Sequence, residues 1–345
     1  MNFTGNKEDW MQIYSFFYLL GAGKLINREI LDIFRTDAEG TVRYQINDGQ
    51  VVCFFNRKEF DRIPCSEFSE TAKRIFEDVK VLDPEQDVEL DYAVATLKRM
   101  QLTDLYSYSE EKTAFTVRTV EGKRDLVIRS KFNGGCTILA AHRAGNLKYE
   151  IQTLKLNGPT AKKLNGIEGD NEVLIRMMEI FRLGGRLKFA DPENKYYKNS
   201  LSLIDLHFPK LFAEMVKLFY TTELISIKDI LEEVKASNPF KINDDLINKH
   251  HYYEYKVKQY LVALVFGFKP SKMWKGKLSE NIPLFVEKDG KITFFGPAYR
   301  EELENYLYEN ARFRMPTDPY KHKFGLVEKE NSLYYFSLNA EIVIK

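Results

Sequence analysis

Residues 113–146 read TAFTVRTVEGKRDLVIRSKFNGGCTILAAHRAGN, and this stretch decides the fold. Residues 115–120 and 125–131 each alternate between apolar and polar side chains, which is the pattern of a β-strand with two unlike faces. The polar residues 121–124 between these runs predict a turn, and the glycine pair at 134–135 predicts the end of the second strand. The stretch therefore predicts a β-hairpin followed by a glycine break.

The second predicted strand has an apolar face and a charged face. Leu126 and Ile128 are expected to point towards a core. The opposite face, which we call the charged face, then carries Asp125, Val127, Arg129 and Lys131. Such a face before a glycine break is compatible with a metal-dependent nuclease core, and it is also what an ordinary solvated hairpin presents. The hairpin alone leaves both interpretations open.

Length and composition bound the class of protein. A chain of 345 residues is long enough for two domains, or for one large domain with additions. Hydrophobic residues make up 44% and aromatic residues 14%, which is enough to build a core. The net charge is +1, from 51 basic and 50 acidic residues, so no global positive field attracts nucleic acid. A DNA-binding surface must therefore be a local patch.

Cysteine usage and hydropathy predict the compartment. The three cysteines lack the number and spacing of a disulfide framework or of a metal site, which favours a reducing environment. The first ten residues do not have the pattern of a signal peptide. The longest apolar clusters are about half of the roughly 20 residues that a membrane span needs. We therefore expect a cytoplasmic protein without a membrane partner.

The chain mixes helical and strand patterns throughout. Apolar periodicity and capping signals predict helices over 7–20 (stopped by Gly21), 66–79 (capped by Ser66), 84–100, 170–183, 203–220 (with Pro209 at its start or kinking it), 226–235, 246–266 and 299–310. Alternation with Asp-Gly turns predicts hairpins over 42–55 and 283–295, and residues 332–344 are expected to form a closing strand pair. The mixture predicts an α+β or mixed-sheet α/β fold in one compact unit, with segments 1–100, 101–240 and 241–345.

Two basic clusters are candidates for DNA contact. Lysines interleaved with aromatic residues suit contacts to DNA phosphates, although a lysine face that only contacts solvent is the alternative. An arginine in a loop can recognise guanine by hydrogen bonds to its edge. The clusters are Lys256, Lys258, Lys269, Lys272, Lys275 and Lys277 in the first, and Arg312, Arg314, Lys321, His322 and Lys323 in the second. His142 and Arg143, just after the predicted hairpin, would lie near a scissile phosphate if the fold is a nuclease; the alternative for His142 is an ordinary surface residue.

Four phrases, in order along the chain, resemble the HpaII-type restriction endonucleases. They are GNKEDWMQIYSFFYLLGAGKL, LVIRSKFNGGCTILAAHRAGNLKYEI, YYEYKVKQYLVALVFGFKP with the nearby MWKGK, and ENYLYENARFRMP with KHKFG and SLNAEIVIK. The resemblance implies a PD-(D/E)xK core: a restriction-endonuclease-like mixed sheet flanked by helices, plus helical and hairpin additions. It also implies Mg²⁺-dependent hydrolysis of double-stranded DNA at a short palindromic, CCGG-like site, a homodimer or heterodimer, and a role in restriction-modification and phage defence.

The catalytic pattern of that family is altered in this sequence. The position that matches the family's lysine is Arg129, and the position two before it is Val127. The preceding acid falls on Thr119 or Glu121, depending on how the turn is aligned. The resemblance therefore leaves Arg129, Asp125, Glu121 and Lys131 as catalytic candidates, with Asp125 and Glu121 as metal ligands. An arginine is permanently protonated and handles protons poorly, so impaired cleavage is expected. A migrated active site is the other option.

Three functions compete at this point. The first is a working Mg²⁺-dependent endonuclease, which the carboxylates of Glu121 and Asp125 keep open. The second is a protein of the same fold that grips DNA without cutting, as an inactive subunit or partner in a restriction system. The third is a structural member of a defence system without DNA contact, and the basic clusters disfavour it.

Overall fold

The computed structural model describes residues 3–25, 28–37, 40–105, 115–120, 122–131, 134–295 and 299–345. The chain divides into two compact units. Unit 1 consists of Met1–Cys136 and Glu280–Arg300, and unit 2 of Thr137–Ser279 and Glu301–Lys345. Over the described ranges, no helix is both long enough and apolar enough to span a bilayer.

The described chain contains groups of successive strands and groups of successive helices. The helices are α1 (Lys7–Ala22), α2 (Cys65–Val79), α3 (Asp91–Arg99), α4 (Gly158–Asn165), α5 (Glu172–Arg182), α6 (Lys195–Ile204), α7 (Phe208–Thr221), α8 (Ile227–Ser237), α9 (Asp244–Asn248), α10 (Tyr252–Val265), α11 (Arg300–Asn310) and α12 (Pro319–His322). The strands are β1 (Lys24–Leu25), β2 (Arg28–Glu29), β3 (Asp32–Asp37), β4 (Gly40–Asn47), β5 (Gln50–Phe55), β6 (Lys58–Pro64), β7 (Phe115–Thr119), β8 (Gly122–Ser130), β9 (Cys136–Leu139), β10 (Leu147–Gln152), β11 (Arg186–Pro192), β12 (Ile282–Val286), β13 (Ile292–Phe294), β14 (Ala311–Arg314), β15 (Val327–Glu330), β16 (Leu333–Leu338) and β17 (Glu341–Ile344).

Unit 1 is built on a large mixed sheet. Across the described residues the sheet has eight strands in the order β13-β12-β8-β7-β3-β4-β5-β6, and β8 and β12 run parallel. The helices α1 and α2 pack on each other, and their apolar side chains join those of the sheet in one core. Trp10, Phe16, Phe17 and Phe68 are fully buried in it. The predicted fold class, a mixed sheet flanked by helices, is confirmed.

The helix α1 begins and ends on local signals. The Asn6 side chain accepts hydrogen bonds from the backbone of Glu8 and Asp9, and Asp9 in return accepts from the Asn6 backbone N–H. The predicted stop at Gly21 is wrong, because the helix continues to Ala22 and ends at Gly23, whose φ of 64° is left-handed. Gly21 instead lies against Ser69 of α2, where a Cβ would overlap it.

The hairpins of unit 1 form where the sequence predicts them. Asn47 pairs with Gln50 around Asp48-Gly49, and Gly290 lies in the turn between β12 and β13. The β7–β8 turn is tighter than predicted, since Thr119 already pairs with Gly122. Two helix starts differ as well: α2 begins after Pro64 without a side-chain cap from Ser66, and α3 begins only at Asp91.

Unit 2 contains two smaller sheets. Over its described residues these are β11-β10-β16-β15, which is antiparallel, and β14-β17-β9. The expected pairing of the two tail strands with each other is wrong, because β16 pairs with β10 and β15 whereas β17 pairs with β14. Their hydrophobic pattern is right, but the alternation does not specify the partner strand.

The predicted helices of unit 2 form with two exceptions, and two further short helices, α4 and α12, were not predicted. Pro209 lies in the first turn of α7, where it needs no hydrogen-bonding N–H, and α6 precedes it as a separate helix that the sequence reasoning missed. The long helix predicted over 246–266 is broken into α9 and α10. His251, with a left-handed φ of 49°, lies at the break.

Candidate active site and nucleic-acid interface

The charged face of β8 lies where the sequence predicts it. Leu126 is fully buried in the core of unit 1, and Ile128 packs against that core. Because side chains alternate along a strand, the opposite side of the sheet carries the charged face. Within β8 its residues are Asp125, Val127 and Arg129, and Lys131 follows directly after the strand.

The parallel pairing of β12 with β8 brings an acidic residue to Lys131. The Lys131 backbone N–H donates to the carbonyl of Val286 at 3.0 Å. The next residue, Glu287, forms an ion pair in which Lys131 Nζ lies 2.8 Å from Glu287 Oε2. The Lys131 side chain is 4% exposed and that of Glu287 is 22% exposed, so solvent screens this pair little.

Sequence reasoning missed Glu287 as a site residue. Its signal is its position directly after β12, all of whose residues are buried. A charged residue at the end of a buried strand requires a partner, and here the partner is Lys131. The parallel partner of β8 cannot be recognised from local sequence, so this signal is visible only once the pairing is known.

A second cation adjoins the same end of β8. The side chain of Arg129 hydrogen-bonds the thiol of Cys136, which is buried. Burial raises the pKa of this thiol, while the positive charges of Arg129 and Lys131 act to lower it and the negative charge of Glu8 acts to raise it. The side chains of Arg129 and Lys131 are therefore both close enough to the buried thiol of Cys136 to shift its pKa. We call Arg129, Lys131, Cys136 and Glu287 the strand-end cluster.

The predicted metal ligand Asp125 does not join this cluster. Asp125 accepts a hydrogen bond from Thr116 Oγ1 at 2.5 Å. It lies six residues before Lys131 on the same strand, which corresponds to about 20 Å along β8. Glu121 lies outside the described residues. Its alternative, Thr119, ends β7 opposite Gly122.

The charged face continues across the sheet through a residue that the sequence reasoning missed. Asp32 of β3 is fully buried, and Arg43 Nε lies 2.8 Å from its Oδ1. Arg118 of β7 donates to the other carboxylate oxygen. Both arginine side chains remain partly exposed. Two arginines around one buried aspartate leave this part of the face with an excess of positive charge.

In unit 2, a buried asparagine ties two predicted basic segments together. Asn146 is completely buried, and its Nδ2 donates to the carbonyls of His322 and Lys323 at 3.0 and 2.9 Å. The same amide reaches Glu193 Oε2 at 2.8 Å, and its Oδ1 accepts from Asn339 Nδ2 at 2.7 Å. Asn339 also donates to the carbonyl of His142 at 2.9 Å. His142 and Arg143 are thereby fixed beside residues 321–323.

Arg176 anchors the same loop from another side. Its guanidinium is fully buried and donates to the carbonyl of Gly325 at 3.0 Å and to Tyr320 Oη at 2.8 Å. It also pairs with Glu172 at 2.8 Å. Residues 320–325 are therefore held by Asn146 and by Arg176, while Lys321 and Lys323 stay exposed. We call His142, Arg143, Lys321, His322 and Lys323 the basic rim.

With this geometry in view, the comparisons with known proteins identify the family. The family model described as HpaII restriction endonuclease matches residues 6–344. The type II restriction enzyme HpaII of Haemophilus parainfluenzae is 28% identical over 360 residues, which cover 99% of this chain and 98% of that enzyme. The chain belongs to the HpaII restriction endonuclease family. No solved structure matches it.

Membership of the HpaII family gives the chain a restriction-endonuclease-like function and DNA as the substrate class. The resemblance noted in the sequence is thereby confirmed. Within the described residues, no group of three or more His, Cys, Asp or Glu side chains is placed to hold a metal ion. The charged face of this HpaII-family chain is thus richer in cations than in carboxylates.

The remaining predicted DNA-binding residues of this HpaII-family protein differ in their surroundings. Lys272 and Lys275 are exposed in the loop of Pro270, and Pro270 approaches Gly145 next to the basic rim. Four others contact protein groups: Lys256 pairs with Asp205, Lys258 with Glu254, Arg314 with Glu341, and Arg312 donates to the backbone of Glu309. Although burial opposes it, the hydrogen bonds from His207, Tyr252 and Lys256 lower the pKa of Asp205, so the Lys256 pair is ionic at neutral pH.

Proposed function

We propose that this protein binds duplex DNA at a short palindromic, CCGG-like site and hydrolyses a phosphodiester bond there with Mg²⁺. We propose further that Val127 and Arg129 lower the rate. The observation that carries the proposal is the buried Asn146, which holds the basic rim in a fixed arrangement in a chain of the HpaII family. A preformed positive surface binds a charged polymer without a large cost of ordering.

The basic rim suits the phosphate backbone of DNA. Lys321, Lys323, His142 and Arg143 are exposed, and their backbone is fixed by buried hydrogen bonds. The exposed Lys272 and Lys275 extend the positive charge along the neighbouring loop. Contacts of this kind give affinity and register, whereas sequence readout needs hydrogen bonds to base edges. Arg312, Arg314 and His322 are the proposed residues for that readout.

Magnesium fits the donor set of unit 1 once DNA is present. Mg²⁺ is commonly held by one or two carboxylates together with water and substrate phosphate, so a full protein cage is unnecessary. The proposed sources of carboxylate are Asp125, Glu121 as the resemblance implies, and Glu287 beside Lys131. When bound, Mg²⁺ polarises the phosphate and makes a bound water more acidic. Arg129 and Lys131 would bind and orient the phosphate and offset its developing negative charge.

A second function is favoured by one specific observation. Val127 has no side-chain ligand for a metal. By the resemblance to the family pattern, Arg129 stands where that pattern has a lysine. A protein with these changes could bind the DNA site without cutting it, as an inactive subunit or partner in a restriction system. The two functions predict the same affinity for DNA, but only the first predicts cleaved DNA as a product.

One experiment separates these two functions. Plasmid DNA, methylated and unmethylated, is incubated with the protein in Mg²⁺ and in Mn²⁺, and a gel shift in EDTA measures binding alone. The proposed enzyme gives discrete fragments in metal and a shifted band in EDTA. A shifted band without fragments supports the binding function, and no shift at low salt contradicts both. Light scattering of the complex tests the proposed dimer, because a palindrome presents two identical half-sites.

Replacing Lys321 and Lys323 together by alanine should weaken DNA binding and reduce its salt dependence. Each phosphate contact releases condensed counterions, so the slope of log K against log salt should become less steep by about 0.9 for each lysine lost. Fluorescence anisotropy measures the slope between about 50 and 200 mM salt. Over this range, a few phosphate contacts together change the DNA affinity by about a factor of ten. Lys188, exposed on β11, provides the control variant Lys188→Ala. An equal slope for all three proteins would contradict the assignment.

A further inference from the structure

We propose that Glu287 and Lys131 supply the carboxylate and the ammonium of the cleavage site, in place of positions 127 and 129 of the family pattern but at a lower rate than that pattern gives. The inference rests on the proposed function, because it names the residues of that reaction. It departs from the strand pattern in one respect: the acid comes from the end of β12 and the lysine from the end of β8.

The positions of the two residues support this assignment. Lys131 Nζ and Glu287 Oε2 are 2.8 Å apart, and the backbone bond from Lys131 to Val286 fixes the strands that carry them. Arg129 lies on the same face, two residues before Lys131, or about 7 Å along the strand. Asp125 is about 20 Å from Lys131 along β8, which is too far for a carboxylate and a lysine to act on one phosphate.

The ion pair also suggests an order of events. Without DNA, the ammonium of Lys131 neutralises Glu287 and competes with any cation for it. A DNA phosphate offers Lys131 a second anion, and as Lys131 turns to it the Glu287 carboxylate loses this competing cation, which favours binding of a divalent metal. Metal binding and DNA binding are therefore coupled, and each should strengthen the other by the same factor.

The reaction served by these residues is a hydrolysis that balances without another reactant. The oxygen of water forms a bond to phosphorus, and the bond from phosphorus to one sugar oxygen breaks. The proton lost by the water is returned to that sugar oxygen through solvent, so the products are a phosphate monoester and a free hydroxyl. Lys131 stays protonated and adjoins the phosphate oxygens, where negative charge increases.

Binding of Mn²⁺, measured by the loss of its free electron paramagnetic resonance signal, tests the assignment without relying on cleavage. The wild-type protein should bind Mn²⁺ weakly alone and more tightly with duplex DNA. Glu287→Gln should abolish that enhancement, while Glu330→Gln should leave it intact. Glu330 is a matched control, since it pairs with Lys148 at 2.6 Å in unit 2. Loss of Mn²⁺ binding in Asp125→Asn but not in Glu287→Gln would overturn the proposal.

Lys131→Met gives the sharpest result, because it should move binding and cleavage in opposite directions. Removing the competing ammonium should tighten Mn²⁺ binding to the DNA-free protein by about tenfold or more, since an opposite charge in ion-pair contact shifts the proton affinity of a carboxylate by a comparable factor. Cleavage should fall to background. A purely structural pair would instead give unchanged or weaker Mn²⁺ binding, and this result would refute the proposal.

Two further measurements keep the outcomes distinct. Circular dichroism checks that each variant is folded. If Lys131→Met is not folded, Lys131→Gln is used instead, because the glutamine amide can still hydrogen-bond Glu287. A gel shift in EDTA measures DNA binding for all variants. Retained DNA binding with Mn²⁺ binding independent of Glu287 rejects the Glu287–Lys131 site alone, whereas absent DNA binding rejects the proposed function.

Discussion

Asn146→Ala should be among the most damaging single substitutions in unit 2. The side chain is completely buried and makes hydrogen bonds to Glu193, His322, Lys323 and Asn339. Alanine removes all of them and leaves two carbonyls and a carboxylate without this donor. Unsatisfied buried groups cost about 1–3 kcal/mol each and are not additive, so the free energy of unfolding should fall by about 4 kcal/mol. Urea denaturation measures it.

The same substitution should weaken DNA binding. Without Asn146, residues 321–323 and the His142 loop lose the contact that fixes them side by side, so ordering the basic rim becomes a cost of binding. We expect an affinity lower by at least about tenfold, or about 1.4 kcal/mol. A gel shift at a temperature where the variant is folded measures this loss.

Asn165→Ala is the matched control for Asn146→Ala. Its amide also makes two hydrogen bonds, which are partly buried: it donates to the carbonyl of Val327 at 2.9 Å and accepts from the Val327 N–H at 2.7 Å. It holds β15 and none of the basic rim. It should therefore lower stability but leave DNA affinity unchanged. Equal losses of affinity in both variants would mean that stability, and not the arrangement of the rim, controls binding.

Restoring the family pattern on β8 should have the largest effect on cleavage. The double variant Val127→Ser with Arg129→Lys places a hydroxyl and a lysine two residues apart on the charged face. A lysine can take part in proton handling, which an arginine does poorly, and a correctly placed proton-transfer group contributes about 10²-fold or more. We therefore expect the rate of plasmid cleavage in Mg²⁺ to rise by about 10²-fold.

Two companion variants show which position matters. Arg129→Lys alone should give little of the gain in cleavage rate, because Val127 still offers no ligand to a metal. The variant Val127→Ala with Arg129→Lys changes the same two positions as the double variant but lacks the hydroxyl. Full activity in the single variant would show that Val127 does not limit the reaction. No gain in any variant would show that Val127 and Arg129 do not limit the rate, which contradicts that part of the proposed function.

Local pattern was enough to predict much of the fold. Leu126 and Ile128 alternate with charged residues, and this alone gave the strand and its two faces. Asp48-Gly49 gave a hairpin, because few other pairs accept the left-handed backbone that such a turn requires. These features depend on residues close together in the chain.

The site depends on residues far apart in the chain, and it could be predicted only in part. Arg129 and Lys131 were found from their strand, but Glu287 reaches them only through the pairing of β12 with β8. Asn146 was missed as well, since its partners at 193, 322, 323 and 339 share no local pattern with it. The break at His251 went unseen because the apolar periodicity continues across it.

The interrupted path of the chain through unit 1 has a consequence during synthesis. Lys131 leaves the ribosome well before Glu287, because residues 137–279 of unit 2 lie between them in the sequence. At about 5–20 residues per second, this delay is on the order of ten seconds or more. A nascent or prematurely released chain that stops before residue 280 has Lys131 and Arg129 but neither β12 nor the acid that follows it. Under the proposed mechanism, incomplete copies of the chain lack this acid and should not cut the DNA of the cell that makes them.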